Sequence, residues 1–418
     1  MSDSRYPFST ANPLRVLHVL EATLGGTLRY MENIAEASQG LDIISGFAYG
    51  TSRADSRLIP FLQQISKLGW STFPVDMRRE IRPWQDLRAW FQLRAAVKTF
   101  APHIIHCHSS KAGALGRTMA LSNKQRPARV YSPHALAAPL GNMYLSIEKF
   151  LSGFTEQFIA VSDTERTEML SFSLAEEYAI SVVYPSVDVT RFRPASSRVA
   201  RQVLGFGAEP LVLAIGRLTA QKDPAAFLRI MELVYVKDPQ AKGVWVGSGE
   251  DEEEMQHLIR SADLGEIVRI VPWQHDIRTY IAAADVVVST SKFESFGYVT
   301  AEALAMNRPV VATDVTGTRD IMLGKLGKWL YPLGREDVAA QMVSDLLQDP
   351  INASSVGELG RSEVLQHFNT SRMRESLMQA YCSSLNQSSS AFYKKDSGRI
   401  AALHAGGQST QKGSLTWT

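Results

Sequence analysis

Short apolar runs rich in β-branched residues alternate with helical patterns along almost the whole chain, and no other feature limits the possible folds as much. A strand buried on both faces reads as a continuous apolar run. A chain that returns to such a run after each helix builds parallel βαβ units. In the first half the runs are Leu14 to Leu20, Asp42 to Ala48, Ile104 to Cys107, Arg129 to Ser132, Phe158 to Val161 and Ser181 to Tyr184. In the second half they are Leu211 to Ile215, Gly243 to Val246, Val268 to Val271, Val286 to Ser289 and Pro309 to Thr313. Between the halves, Tyr184-Pro185-Ser186-Val187-Asp188 and Arg191-Phe192-Arg193-Pro194 mix prolines with charges where the pattern pauses, which marks a hinge. At 418 residues the chain exceeds the size at which one core stops growing. The expectation is an α/β protein of two doubly wound parallel-sheet domains, residues 1–184 and 185–366, facing a central cleft. A helix within 367–385 is expected to pack back on the first domain. The stretch 386–418, rich in Ser, Gly and Gln, is expected to be a disordered, solvated tail.

Lys and Arg number 44 against 42 Asp and Glu, so no global field draws the chain to nucleic acid. The cysteines are Cys107 and Cys382, far apart and outside any CxxC spacing, which supports neither a disulfide framework nor a zinc site. No apolar run reaches the ~18 residues that span a bilayer, and the start lacks a basic-then-apolar leader. A soluble cytoplasmic protein is expected, with the inner membrane face as a further possibility. The segment Arg78 to Lys98 carries Arg78, Arg79, Arg82, Arg88, Arg94 and Lys98, with Trp84, Leu87, Trp90 and Phe91 at helical spacing. Its first reading is an ordinary helix whose aromatic stripe packs on the sheet. The second is an amphipathic patch for anionic lipid.

Candidate chemistry gathers after the strand runs, where open α/β sheets bind ligands. Glu294 and Glu302 stand eight residues apart between two buried strands, on a turn and the helix that follows. Two carboxylates there suit a sugar or a ribose, and Phe296 and Gly297 lie where the N–H groups of a helix start could face a phosphate. Arg217 and Lys222 follow the strand at Leu211 to Ile215. A planar fork of donors beside a compact charge suits a diphosphate, the alternative being a surface ion pair with Asp223. Gly25 and Gly26 follow the first strand and would let the backbone approach an anion, although the spacing is not that of a dinucleotide loop. The run His103-Ile104-Ile105-His106-Cys107-His108 tempts one toward a metal, but strand alternation puts Cys107 on the other face from His106 and His108, and no metal is expected. Glu250-Asp251-Glu252-Glu253-Glu254 reads as a solvated helix start.

Taken together, these segments resemble the family-four retaining glycosyltransferases of GT-B fold, two Rossmann-like domains about a cleft, over about Leu14 to Leu385. The form Ser110-Lys111-Ala112-Gly113 is similar to that of bacterial enzymes of surface polysaccharide or lipopolysaccharide assembly. The resemblance implies transfer of a sugar from a nucleotide-diphosphate sugar to a hydroxyl of a glycan or lipid-linked acceptor, without a cofactor. Arg217 and Lys222 would clamp the diphosphate, Glu294 would bind the transferred sugar and Glu302 the ribose. Gly25, Gly26, Phe296 and Gly297 would complete the phosphate cradle. His134 would contact the donor sugar, and Ser110 and Lys111 the acceptor. The chain departs from the family pattern at Ala135, where glycine is usual, and at Ser186, where Asn-Gly is frequent. These departures bear on the loop geometry and not on the fold. The absence of Asp-x-Asp implies metal-independent handling of the leaving group. Two other functions compete with transfer: a nucleotide-sugar epimerase on the same architecture, and a non-catalytic scaffold that binds the nucleotide sugar.

Overall fold

The computed structural model describes residues 8–9, 11–119, 126–136 and 141–406, with the side chains of 142 and 389–406 outside that description. The first half holds β1 (Leu14–Leu20), β2 (Ile43–Tyr49), β3 (Ser71–Pro74), β4 (Ile104–His108), β5 (Ala128–Ser132), β6 (Gln157–Ala160) and β7 (Ile180–Val182). They form one parallel sheet in the order β3-β2-β1-β4-β5-β6-β7. The second half holds β8 (Leu211–Ile215), β9 (Lys242–Val246), β10 (Val268–Val271), β11 (Val286–Ser289), β12 (Val310–Thr313) and β13 (Leu330–Tyr331), ordered β10-β9-β8-β11-β12-β13. Strand order reverses between β1 and β4 and again between β8 and β11. Those two switch points open crevices at the carboxyl ends of the strands.

Apolar side chains on both faces of each sheet explain the unbroken strand runs. On one face of the first sheet, Leu14, Val16 and Ile104 meet Leu28, Met31 and Ile34 of the helix Gly25–Ala37. On the other face, Leu17, Val19 and Ile105 meet Ala89, Leu93 and Val97 of the helix Pro83–Phe100. The second sheet is enclosed in the same way around Val212, Leu213, Val287 and Val311. Two strands escape the sequence reading, β3 and β13. Both are edge strands, one ending in proline and the other two residues long, too short to show a pattern.

The last helix, Thr370–Gly406, places Met373, Leu377, Ala380 and Tyr381 in the core of the first sheet. Its helical backbone continues past Leu385 into the stretch read as disordered. That stretch is polar, but no proline breaks it before Gly406, and Ser, Gln, Ala and Lys all tolerate a helix. Residues 407–418 lie outside the described residues.

The helix Pro83–Phe100 corrects the first reading of its aromatic stripe. Ala89, Leu93, Val97 and Phe100 make its core face, whereas Trp84 is 85% exposed, Phe91 58% and Leu87 47%. Trp90 is half-buried and donates its indole N–H to Thr118 at 3.2 Å. The helix therefore has two apolar stripes, and small alanines in the inner one serve the sheet.

Candidate active site

After β8 the chain enters Gly216-Arg217-Leu218, and this loop lies directly on the loop that follows β9. Leu218 donates its N–H to the Ser248 carbonyl at 3.1 Å, and the Trp245 indole donates to the Gly216 carbonyl at 3.0 Å. A Cβ on Gly247 would stand 1.9 Å from the Gly216 oxygen, and one on Gly249 2.1 Å from the Leu218 oxygen. Only glycines let the loops touch. The stack fixes the backbone beside Arg217, whose exposed side chain makes no hydrogen bond or ion pair among the described residues.

Lys222 returns to the same strand end, its stem packing beside Gly216, and its ammonium is ion-paired with the Glu294 carboxylate. The same Glu294 oxygen accepts from the Ser291 hydroxyl at 2.7 Å. The two loops are also sewn together through their backbones: the Thr290 hydroxyl donates to the Lys222 carbonyl at 2.7 Å, and the Lys292 N–H to the Gln221 carbonyl at 2.8 Å. Asp223 pairs with Lys292 at 3.2 Å and caps the helix Pro224–Lys237. The alternative in which Arg217 and Lys222 belong to Asp223 is therefore not what the structure holds.

Phe296 is buried, and Gly297, at φ 95°, leads into the helix Tyr298–Ala305. Among the described residues no side chain caps that helix, so none of them competes for its first N–H groups. Glu302, one turn further, does not stand open to a ribose. It is buried and pairs with Arg29 of the first half at 2.5 Å, because a carboxylate taken out of water needs a charged partner. Burial pushes its carboxyl up while Arg29 pulls it down, and the net direction is up. The Tyr298 hydroxyl reaches the same first-half helix, donating to Asn33 at 2.8 Å.

From the first half, His134 presents its backbone carbonyl to the Ser295 hydroxyl, one residue from Glu294. Its ring is half-buried, lies edge-on to Tyr30 at 4.8 Å, and holds Nε2 3.1 Å from Nδ1 of His108. Burial pushes the imidazole down to about 3, so the ring is neutral. His134 and Ala135 have φ of 60° and 137°. The Glu165 carboxylate supports this turn, accepting the Ala135 N–H at 3.0 Å and the Val161 N–H at 2.7 Å, and burial pushes Glu165 up to about 7.

Two expectations in the first half change, one for the phosphate cradle and one for the acceptor. Gly25 does not offer a free N–H, because that group donates to Asp55 at 3.0 Å; the anion at this helix start is the protein's own carboxylate, held in turn by Arg57 at 2.7 Å. Gly26 follows it inside the helix Gly25–Ala37. Lys111 is tied to Asp86 at 2.8 Å and to the Glu80 carbonyl at 2.9 Å, joining its helix, Ser110–Arg117, to Pro83–Phe100. Ser110 opens that helix and is half-buried.

Residues 25–191 match the family model described as Glycosyltransferase Family 4, and residues 209–349 match that described as Glycosyl transferases group 1. The chain belongs to the family-four glycosyltransferases. The capsular polysaccharide biosynthesis glycosyltransferase CapM of Staphylococcus aureus is 23% identical over 327 residues, 75% of this chain and 85% of CapM. The UDP-Gal:alpha-D-GlcNAc-diphosphoundecaprenol alpha-1,3-galactosyltransferase of Escherichia coli is 22% identical over 321 residues, 74% of this chain and 82% of that enzyme. The crystal structure of Anabaena HepE in complex with UDP and glucose superposes with a TM-score of 0.74 at 19% identity, over 88% of this chain and 100% of that one, which shows the GT-B fold.

In this family-four glycosyltransferase the sequence reading missed the first-half residues that complete the crevice. Arg29, Tyr30 and Asn33 share one helix, and a buried asparagine on an apolar stripe was the available signal. Glu165 stands three residues after Ser162, a spacing that signals a helix start but not the contact with Ala135. Glu21, at the end of β1, is buried with Oε1 unpartnered among the described residues and Oε2 3.2 Å from Arg53. Burial pushes its carboxyl up against the pull of Arg53, Lys111 and Arg79. His18 joins His106 and His108, nitrogen atoms of all three lying within 4.8 Å of one another; it comes from β1, far from their motif in sequence.

Proposed function

We propose that this glycosyltransferase moves a sugar from a nucleotide-diphosphate sugar to a hydroxyl of a lipid-linked or membrane-proximal glycan in bacterial polysaccharide assembly, with retention of configuration. One observation carries the reading. Lys222, Glu294, Ser295 and His134 form an unbroken line of contacts across the cleft, beside the exposed Arg217 and an uncapped helix start. Arg217 and Lys222 meet the charge that develops on the departing diphosphate, and the Tyr298–Ala305 helix start adds N–H dipoles. The glycosyl C–O bond to the diphosphate breaks, the acceptor oxygen bonds the anomeric carbon on the same face, and its proton passes to the leaving phosphate. No separate carboxylate base is required. Glu294 holds the sugar, and the protein cations take the place of a divalent ion.

The acceptor side belongs to the first half, around Glu21 and the end of β4. The lipid-linked alternative is supported by the exposed Trp84, Leu87 and Phe91 beside Arg79, Arg82 and Arg88, and by what the relatives' names state of their own acceptors and products. A thermal-shift panel of UDP-, GDP- and ADP-sugars tests the donor: a ligand at 100 times its Kd stabilises by about 2.7 kcal/mol. The donor that raises Tm, incubated with a glycan hydroxyl acceptor, releases nucleoside diphosphate. Release without a glycosylated product, or binding without release, would replace transfer with epimerisation or a scaffold role.

A further inference from the structure

Three imidazoles run in single file from the core of the first sheet to the cleft. Nδ1 of His18 lies 3.3 Å from Nε2 of His108, and Nδ1 of His108 lies 3.1 Å from Nε2 of His134. His18 stacks on Trp70 with ring centroids 5.4 Å apart. Burial holds all three rings neutral. A neutral imidazole has one N–H and one lone pair, so each contact needs a donor facing an acceptor, and the tautomers are coupled from end to end. The inner end sets the direction. His18 is 1% exposed and its Nε2 makes no hydrogen bond among the described residues; in so enclosed a ring a lone pair without a partner is tolerated better than an N–H. The protons then sit on Nδ1 of His18, on Nδ1 of His108 and on Nδ1 of His134.

We propose that His108 and His18 are positioning residues whose hydrogen-bond chain fixes the tautomer of His134, so that its Nδ1–H is presented to an oxygen of the donor sugar or its diphosphate. This rests on the reading that His134 meets the donor. A metal held by His18, His106 and His108 competes for the same atoms, but His106 spends Nδ1 on the Tyr381 hydroxyl at 3.0 Å and Nε2 on the Ser132 hydroxyl at 2.9 Å. Both nitrogens of His108 are likewise used inside the chain. Hydrogen bonding accounts for every contact without an ion.

The test is ¹⁵N NMR of the histidine-labelled full chain at neutral pH. All three rings should read as Nδ1–H tautomers; an Nε2–H signal on His134, or stoichiometric zinc in the purified protein, would overturn the proposal. His108→Leu should lower kcat by about tenfold with donor KM little changed, as loss of an orienting partner does. His108→Asn, whose amide stands where Nδ1 was, should restore most of kcat. Equal kcat in the leucine variant, or no rescue by asparagine in a folded protein, counts against it. The wild-type tautomers decide the matter even if the leucine variant does not fold. Full turnover in His134→Ala would instead sink the reading of His134 as a donor contact and leave the tautomer result standing.

Discussion

The guanidinium of Arg29 lies 2.5 Å from the carboxylate of Glu302, joining the helix Gly25–Ala37 of the first half to the helix Tyr298–Ala305 of the second. Both groups are largely out of water, so removing one leaves a buried charge uncompensated, a loss of about 3–5 kcal/mol in comparable pairs. Arg29→Met should lower the urea midpoint clearly, while Arg29→Met with Glu302→Gln should recover part of it. A double mutant no more stable than the single one would mean that the pair contributes nothing to holding the halves together.

Arg217 is exposed and without a partner among the described residues, so its truncation should leave stability within about 0.5 kcal/mol. Turnover should nevertheless drop by about 100-fold or more, the scale seen when one preorganised donor to developing charge is lost. Lys222→Ala should do the same to turnover with a larger loss of stability, because Glu294 loses its cation. Steady-state kinetics beside thermal melts separate the two effects; a turnover unchanged in both variants rejects the clamp.

Ala135 occupies φ 137°, in the region that favours glycine, at the position where the family pattern has glycine. Such a non-glycine residue stores about 1–3 kcal/mol. Ala135→Gly should therefore raise Tm by a few degrees, provided Glu165 still accepts the N–H of residue 135. A lower Tm would show that the turn is relaxed as it stands.

How legible this was in the sequence depends on whether the information is local. β1, β8, β10 and β11 begin and end where their apolar runs do; Lys222 meets Glu294, and Arg217 stands nearby in the chain, because each lies just past a strand that adjoins the same switch point. What stayed hidden is pairing between distant segments. Nothing near Glu302 announces Arg29, nothing near Gly25 announces Asp55, and His18 reaches His108 only because β1 lies beside β4. The outward stripe at Trp84 was misread for another reason: helical spacing gives the angle between apolar residues, not which of two stripes meets the core.

That outward stripe should bind anionic membranes. Trp84, Leu87 and Phe91 offer apolar depth, and Arg79, Arg82 and Arg88 are exposed beside them. Each basic residue near an anionic surface contributes about 1 kcal/mol, which salt screens. In flotation at low salt the protein should rise with phosphatidylglycerol vesicles and stay down with purely zwitterionic ones. Trp84→Ser with Phe91→Ser should abolish flotation without lowering turnover on a water-soluble acceptor. A double variant that still floats would place the contact elsewhere.

The buried histidines make the fold sensitive to mild acid. His18, His106 and His108 are held far below the ordinary imidazole range by burial, so in the folded state they stay neutral where the unfolded chain would take up protons. The folded state binds fewer protons, so the contribution is complete above about pH 6.5 and falls below it by about 1.4 kcal/mol per pH unit for each ring. Glu165 acts with the opposite sign. Its folded value of about 7 lies above its unfolded one, so its contribution is complete below the unfolded value and is lost as pH rises through 7. His134 adds a fourth ring, and Glu21, Glu32 and Glu302, whose carboxyls burial also raises, act with the sign of Glu165; between pH 6.5 and 5.5 the rings leave a net loss toward acid. Urea midpoints should fall steeply from pH 6.5 to 5.5, less steeply in His18→Phe, whose ring can still stack on Trp70 but takes no proton. Midpoints that stay level across that interval would mean the imidazoles titrate in the folded protein, and the tight file from His18 to His134 would not exist in solution.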